Sequence, residues 1–275
     1  MSVTVIKENA KARVDIVFVH GLKSEQEDWT AENSVFWPEK LLPAVVPDAR
    51  ILKYEYDEAN VESFFNEDDL ISEISDDLLD KLKRQRKEEV ALCRAASDKK
   101  HKALVNCVRG VLLLGTPHYQ AQTLNEAAKY FQLAQQEPPS NLEAISQHVM
   151  AIPQIFAQLM QQTDFDIVCF YAGAPTKVND QDIKVVDASV ASVPNGPPHK
   201  RLASNHHGIS RFDSEKNKDF GKVSSTLEDW MEDLPEPEEK GTVNNISNAS
   251  FAGSTNSGYQ LGQNVGNQTG FSFGR

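Results

Sequence analysis

One run of residues near the N-terminus constrains the fold more than any other part of the sequence. Ile16–Val19 is an unbroken series of β-branched and aromatic residues, and His20, Gly21 and Leu22 follow it at once. Such a run predicts a strand that is buried on both faces, as the strands of a parallel sheet are. Gly21 then allows a sharp turn and a close approach of the backbone to a ligand. The alternative is an ordinary core strand that ends in a glycine turn.

Further apolar runs alternate with segments of helical periodicity along the next part of the chain. Strands are predicted at Ala49–Tyr56, Val108–Leu114, Asp166–Tyr171 and Ile183–Asp187. The clearest helical segment lies between the first two of these, with apolar residues at helical spacing from Leu70 to Leu82. The alternation of strands and helices predicts an α/β fold with a doubly wound sheet.

Composition divides the chain into four parts. Residues 1–13 are an N-terminal extension, residues 14–233 are the α/β domain, and residues 234–241 form a linker rich in Pro and Glu. Residues 242–275 consist largely of Asn, Gly, Ser, Gln and Thr and carry one charge. This tail is too polar to build a core, so we expect it to be disordered in the monomer. Its side-chain amides also favour β-stacking between identical chains.

The charge balance argues against one class of partner. The chain has 28 Lys and Arg residues against 40 Asp and Glu residues, a net charge of −12, which disfavours a nucleic-acid-binding surface. The three cysteines lie far apart and lack zinc-ligand spacing, so we expect no metal and no cofactor, and a reducing, cytoplasmic location. No apolar stretch reaches the roughly 18 residues of a membrane helix. Any membrane association would therefore be peripheral.

Several motifs carry a resemblance to a known family through their order and spacing. They are Val17–Leu22, Phe36–Pro43, Ala49–Asp57, Gly110–His118 and His206–Phe212. Together they resemble the lipase-like α/β-hydrolase domains at the N-termini of fungal NACHT-type signalling proteins, which are related to serine esterases and to serine-active-site-containing proteins. The resemblance covers roughly residues 14–231. It implies hydrolysis of a carboxylic ester, with a lipid or another ester as the substrate of intact relatives.

The resemblance also implies roles for two parts of the chain in a catalytic site. His206 lies where the family has its catalytic histidine, which moves a proton between the nucleophile and the substrate. The adjacent His207 is an alternative base. The loop of His20, Gly21 and Leu22 would supply a backbone N–H group to the oxyanion hole.

The acid that would orient the catalytic histidine has one main candidate and two rivals. In this fold the acid follows a strand and comes between the nucleophile and the histidine in chain order. Asp187 stands at the end of the fifth predicted strand and fits that position. Asp180 and Asp182 lie close to it in the sequence and stay open as alternatives.

The nucleophile is missing from this pattern. A hydrolase of this class carries its serine in a Gly-x-Ser-x-Gly turn between a strand and a helix, and residues 14–233 contain no such motif. In relatives, that strand and turn precede a helix that resembles Ala91–Ala95, whereas here Lys87–Val90 leads directly into it. The sequence therefore predicts that the central strand is absent and the domain inactive. Either the chain is a non-catalytic derivative with a re-paired sheet, or splicing or gene prediction removed the block. The intact flanks favour the second explanation.

The tail resembles a second group of sequences. Asn244–Gly266 is similar to the short amyloid signalling motifs of fungal cell-death effectors, and its predicted core is Tyr259, Gln260, Leu261 and Gly262. The resemblance implies a link to cell-death or incompatibility signalling. It also implies a homotypic partner, or an NLR partner with a matching motif. On this interpretation the chain is a non-catalytic signalling module that assembles through its tail, and the alternative is a plain disordered extension.

Overall fold

The computed structural model describes residues 1–21, 29–56, 65, 68–85, 107–197 and 199–235. The chain divides into two units, Met1–Leu234 and Pro235–Arg275. The first unit holds all the described helices and strands and is a mixed α/β structure with small sheets. The predicted amyloid-motif core, Tyr259–Gly262, lies outside the described residues.

The strands among the described residues form two three-stranded sheets and one hairpin. They are β1 (Ser2–Lys7), β2 (Val14–Val19), β3 (Ala49–Glu55), β4 (Gly110–Leu114), β5 (Asp166–Ala172), β6 (Thr176–Val178), β7 (Gln181–Ile183) and β8 (Lys200–Leu202). The first sheet has the order β1-β3-β2, the second has the order β4-β5-β8, and β6 pairs with β7. Neighbouring strands are parallel except for β1 against β3 and for the hairpin.

Helices connect and cover these strands. They are α1 (Trp37–Lys40), α2 (Leu42–Val45), α3 (Asp68–Gln85), a 3₁₀ turn (Leu124–Ala127), α4 (Ala128–Leu133), α5 (Leu142–Ile145), α6 (Gln147–Met160) and α7 (Lys218–Glu232). The two prolines of Phe36–Pro43 predict one short helix there. The structure has two instead, α1 and α2, each with a proline in its first turn, where the missing N–H group has no intrahelical partner to lose. Within the described residues, none of these helices is long and apolar enough to cross a membrane.

The fifth predicted strand differs from the structure. Asn179 and Asp180 both have positive φ angles, of 47° and 62°, which is the conformation of the two central residues in a tight hairpin turn. The chain therefore folds back after β6, and β7 ends at Ile183. Val185 and Val186 are buried in an apolar cluster and do not extend that strand.

An apolar cluster around Trp37 draws on both three-stranded sheets. The Trp37 side chain is 1% exposed, and its ring centroid lies 5.1 Å from that of Phe18 in β2 and 5.0 Å from that of Phe212. Its indole N–H group donates to the carbonyl oxygen of Ser210 at 2.7 Å. The bulky ring thereby ties α1 to the first sheet and to the loop that follows His206.

The strands β2 and β4 are less buried than their apolar sequences predict. In β3, the side chains of Ile51, Leu52 and Tyr54 are fully buried. In β2, by contrast, only Phe18 is buried and Val19 is 40% exposed, while every residue of β4 is half-buried. Among the described strands, β2 pairs only with β3 and β4 pairs only with β5. The sheet is therefore not re-paired by direct contact between β2 and β4.

Helix α7, which follows β8 in the chain, begins earlier than its apolar pattern indicates. The sequence pattern marks a helix only at Thr226–Met231, whereas α7 starts at Lys218 because Asn217 caps it. The side-chain oxygen of Asn217 accepts hydrogen bonds from the N–H groups of Asp219 and Phe220 at 2.9 and 3.1 Å. These bonds satisfy two donors that the helix itself leaves without partners.

The cap of α7 yields a stability prediction. Substituting Asn217→Ala should lower the free energy of unfolding by about 1 kcal/mol, because two N–H groups lose their acceptor. Asn217→Ser keeps an acceptor and should retain most of the stability. Glu228→Ala, on the exposed side of the same helix, is the control. Chemical denaturation measures all three, and equal stability of the Ala and Ser variants would show that the cap contributes nothing.

Candidate functional site

The segments that follow β2 and β4 border the same cavity, whose volume is about 1750 Å³. His20 and Gly21 come directly after β2, Gly115 follows β4, and His206 reaches the cavity from the loop after β8. The structure therefore brings together His20, Gly21 and His206, three of the residues that the sequence predicts for a catalytic site. Leu22, the remaining residue of the predicted oxyanion-hole loop, lies outside the described residues.

The turn at His20 and Gly21 is fastened to the end of β3. The imidazole of His20 stacks on the ring of Tyr56 with centroids 3.9 Å apart. Its Nε2 atom accepts from the backbone N–H group of Tyr56 at 3.2 Å, and its Nδ1 atom donates to the carbonyl oxygen of Gly21 at 2.9 Å. The Tyr56 hydroxyl donates to that same oxygen, also at 2.9 Å. Among the described residues, apart from its chain neighbours, no atom lies within 4 Å of a Cβ atom added at Gly21.

The imidazole of His206 is held between Gly115 and Tyr130. Its Nε2 atom lies 3.3 Å from the Tyr130 hydroxyl oxygen, and that hydroxyl lies 3.1 Å from the carbonyl oxygen of Gly115. If the single phenolic proton goes to this carbonyl oxygen, Nε2 carries a proton and donates to Tyr130. Nδ1 then has a lone pair, and this atom is buried without a partner among the described residues.

Gly115 makes this arrangement possible. Its φ angle is +67°, a conformation that residues with a Cβ atom rarely adopt. An added Cβ atom would also lie 3.1 Å from Nδ1 and Cε1 of the His206 ring. The glycine after β4 therefore serves both the turn and the close approach of the histidine.

The surroundings of His206 make it a weak base. Burial lowers the pKa of His206 from its ordinary 6.5 to about 4, and the neighbouring His207 acts in the same direction. A catalytic base works best with a pKa near the operating pH, which in Ser-His-Asp sites a carboxylate helps to maintain. Within the described residues, no carboxylate and no serine hydroxyl bonds to the His206 ring.

Asp187 lies against a different pocket from His206. It lines a pocket of about 460 Å³ together with Ser189, Lys184 and Arg201. Its Oδ1 atom accepts from the backbone N–H group of Ser189 at 2.8 Å and from the Ser189 hydroxyl. Partial burial raises the pKa of Asp187, but these bonds outweigh that effect and the pKa lies below its ordinary value. In the structure this carboxylate bonds Ser189. The pairing of Asp187 with His206 stays a prediction.

The alternatives to Asp187 and His206 are placed as follows. Asp180 and Asp182 are exposed in and next to the turn between β6 and β7, and neither borders the large cavity. His207 is exposed and borders the cavity beside His206. Within the described residues, no group of three His, Cys, Asp or Glu side chains could hold a metal ion.

Two residues that sequence reasoning missed position the loop of His206. The buried carboxylate of Asp219 accepts from the N–H groups of Ala203 and Ser204, both at 2.9 Å, so it ties this loop to the start of α7. The hydroxyl of Thr176 accepts from the backbone N–H group of His206 at 3.0 Å. The pattern Asn217-Lys-Asp219 was a usable signal for the helix start, but nothing in it indicates which loop the acid would hold.

The letters Gly-x-Ser-x-Gly do occur once in the chain, at Gly270–Gly274. This stretch lies in the tail, after the linker, and outside the described residues. It follows a polar, Asn- and Gly-rich segment and not the apolar strand that a nucleophile turn requires. Ser272 is therefore no substitute for the missing nucleophile of the domain, although it must be controlled for in any test of reactivity.

A family model described as "SesB domain on fungal death-pathway protein" matches residues 243–270. The match includes the predicted core Tyr259–Gly262 and supports a link between this chain and fungal cell-death signalling. Comparison with the curated proteins gave no match. The lipase-like resemblance of residues 14–231 stays a prediction.

The lowered pKa of His206 yields a prediction about its titration. We expect His206 to stay neutral down to about pH 4. Because an imidazole in the unfolded chain takes up its proton near pH 6.5, acidification from pH 6.5 towards 4 favours the unfolded state, and stability is lost in that window. An NMR titration, assigned with the His206→Asn variant, measures the midpoint, which His207→Asn should raise. A midpoint near 6.5 would contradict an imidazole whose Nδ1 atom is buried without a partner.

Proposed function

We propose that this chain is a fungal cell-death signalling protein in which a non-catalytic, hydrolase-like domain is joined to a tail that assembles by templated β-stacking. The observation that carries the proposal is the SesB match at residues 243–270. The domain at residues 14–233 is the part that assembly would concentrate. The partner is a second copy of the chain or an NLR-type protein with a matching motif.

The chemistry of the tail supports stacking between identical chains. Residues 242–275 carry one charge and no proline, so little repels a second copy and nothing removes a backbone donor. Tyr259 and Leu261 are two residues apart and would face the same side of a strand, while Gln260 would face the other. Stacked copies could then bury the apolar pair in a dry interface and align their side-chain amides in ladders.

Assembly of this kind would act through concentration. A templating partner that captures several tails raises the local concentration of the attached domains without any new contact between them. The change of the tail from a disordered to a stacked state would be the signal, and the raised concentration of the domains would be its effect. No catalytic step is required for this function.

Ester hydrolysis is the second candidate function, and one observation favours it. The His20–Gly21 turn, Gly115 and His206 border one cavity, which is the placement expected of an oxyanion donor and a base. Against it stand the missing nucleophile turn and the low pKa of His206. We therefore propose hydrolase ancestry for the domain and no acyl-enzyme chemistry in this chain.

The first prediction from this proposal concerns templating. Preformed fibrils of an Asn244–Arg275 peptide should show cross-β diffraction and should seed the full-length chain into fibrils. Gln260→Pro should abolish both, because proline removes a ladder donor and fixes φ. Gln260→Asn keeps the amide and should still assemble. Thioflavin fluorescence and fibre diffraction measure the outcome, and a peptide that stays monomeric even when seeded would leave the tail as a plain disordered extension.

The second prediction concerns reactivity. The purified full-length chain should not react with a serine-directed fluorophosphonate probe, because no serine is paired with His206 among the described residues. Ser272→Ala is the control for the Gly-x-Ser-x-Gly letters in the tail. Labelling that disappears when one serine of residues 14–233 is replaced would overturn the non-catalytic assignment and reveal a nucleophile.

A further inference from the structure

Helix α6 presents an uncharged apolar surface to solvent. The twenty residues 144–163, which include α6 (Gln147–Met160), contain no Lys, Arg, Asp or Glu, although such residues make up 25% of the chain. Ile152 and Ile155 are 39% and 62% exposed, and Ile155 is the most exposed large apolar side chain in the part of the chain that the structure describes. A surface helix usually carries polar or charged residues on its outer face, so this face differs from the ordinary pattern.

The exposed apolar side chains share one face of the helix. Ile152, Ile155 and Leu159 are spaced three and four residues apart, the spacing at which helical residues are neighbours on the surface. Leu159 is half-buried, and the exposed Gln154 and Gln158 run beside this row. We call the row of Ile152, Ile155 and Leu159 the α6 stripe. Isolated exposed apolar residues are normal on a protein surface, whereas a continuous row indicates a contact surface.

The opposite face of α6 fixes the helix to the rest of the first unit. Ala157 is buried in an apolar cluster with Ile167 and Cys169 of β5, and Phe156 packs against the same cluster. The ring centroid of Phe156 also lies 6.3 Å from that of Phe165. The α6 stripe therefore stands on a firmly packed helix, and substitutions at its exposed residues need not disturb the core.

Charge favours a second copy of the chain as the partner of this surface. The chain has a net charge of −12, so two copies repel each other across most of their surfaces. The repulsion is weakest where the surface carries no charge, as at the α6 stripe and its two glutamine neighbours. A two-fold axis would place the same patch of both copies in contact, with apolar side chains in the centre and glutamine amides able to hydrogen-bond at the rim.

The size of the patch makes such a contact weak. Helix α6 has 14 residues, so it is about 21 Å long and about 10 Å wide and could bury roughly 200 Å² per copy. Stable complexes bury about 800 Å² per partner, and the α6 stripe is therefore too small to hold two copies together in dilute solution. Tethering changes this, because a short flexible linker raises the effective concentration of a second copy to about the millimolar range.

We propose that the α6 stripe is a self-association surface that becomes occupied when tail assembly brings copies of the chain together. This inference rests on the proposed function, since stacked tails supply the concentration that the small contact needs. Each copy buries Ile152 and Ile155 against the equivalent face of a neighbour. The contact gives the assembled state an arrangement of domains that the monomer lacks.

Sedimentation of a full-length chain whose tail cannot stack tests the contact alone. In the Gln260→Pro chain we expect reversible self-association only at about 0.1–1 mM protein. Ile155→Glu in this background should abolish it, because two like charges would face each other, and should leave the unfolding temperature unchanged, because the side chain is 62% exposed. Ser225→Glu, which adds the same charge at an exposed position of α7, is the matched control and should retain the association. A chain that stays monomeric at about 1 mM, or an association that Ile155→Glu does not reduce, would overturn the proposal.

Disulfide trapping tests the contact in the assembled state. In full-length chains seeded with Asn244–Arg275 fibrils, we expect Ile155→Cys to give at least about five-fold more cross-linked dimer than Gln181→Cys, since a disulfide needs Cα atoms within about 7 Å. Gln181 is an exposed residue of β7, and the native chain gives the background of its own cysteines. Equal yields from the two variants in well-formed fibrils would overturn this inference and leave the tail proposal intact. If seeding fails while the Gln260→Pro chain associates through Ile155, the tail proposal is wrong and the self-association surface is confirmed.

A lipid surface is the other occupant that an apolar helix face could fit. Phosphatidylcholine vesicles added to the Gln260→Pro chain distinguish it from a second copy. Vesicle binding that Ile155→Glu removes, without self-association of the chain in solution, would overturn the second copy as the occupant. Self-association that depends on Ile155, with no binding to the vesicles, is the result that the proposal predicts.

Discussion

The packing of β2 and β4 around one cavity is the constraint on which the candidate site depends. Both strands are apolar, but they stay half-buried because each pairs on one side only within the described residues. Between them lies a space of about 1750 Å³, and the turns that carry His20, Gly21 and Gly115 are the continuations of these same strands. The positions of β2 and β4 therefore set where His20, Gly21 and Gly115 stand at the cavity.

The candidate site holds His206 in a fixed place without the partners that a catalytic base would use. Tyr130 and Thr176 hold His206, and Asp219 holds the loop before it. None of these contacts raises the basicity of the ring, and burial makes it a poor proton acceptor at neutral pH. Contacts that position His206, together with the lack of a nucleophile motif in residues 14–233, favour a non-catalytic domain that assembly of the tail would concentrate. The tail, which the SesB match covers, carries the signalling link.

The sequence predicts local elements better than it predicts their partners. The strands β2, β3, β4 and β5 are visible in the sequence as runs rich in apolar residues, although β2 and β4 are less buried than such runs predict. The hairpin at Asn179–Asp180 was missed, because its positive φ angles depend on tight-turn geometry that the apolar pattern does not record. β8 was missed because Lys200 and Arg201 are exposed and charged in a three-residue strand. The bond between Asp219 and the His206 loop joins distant segments, and no local pattern encodes it.

Hydrogen–deuterium exchange of the full-length chain, before and after seeding, tests the central claim most directly. The account predicts that residues 243–270 exchange at once in the monomer and become protected only after seeding. A tail that exchanges equally fast before and after seeding would contradict signalling by templated assembly.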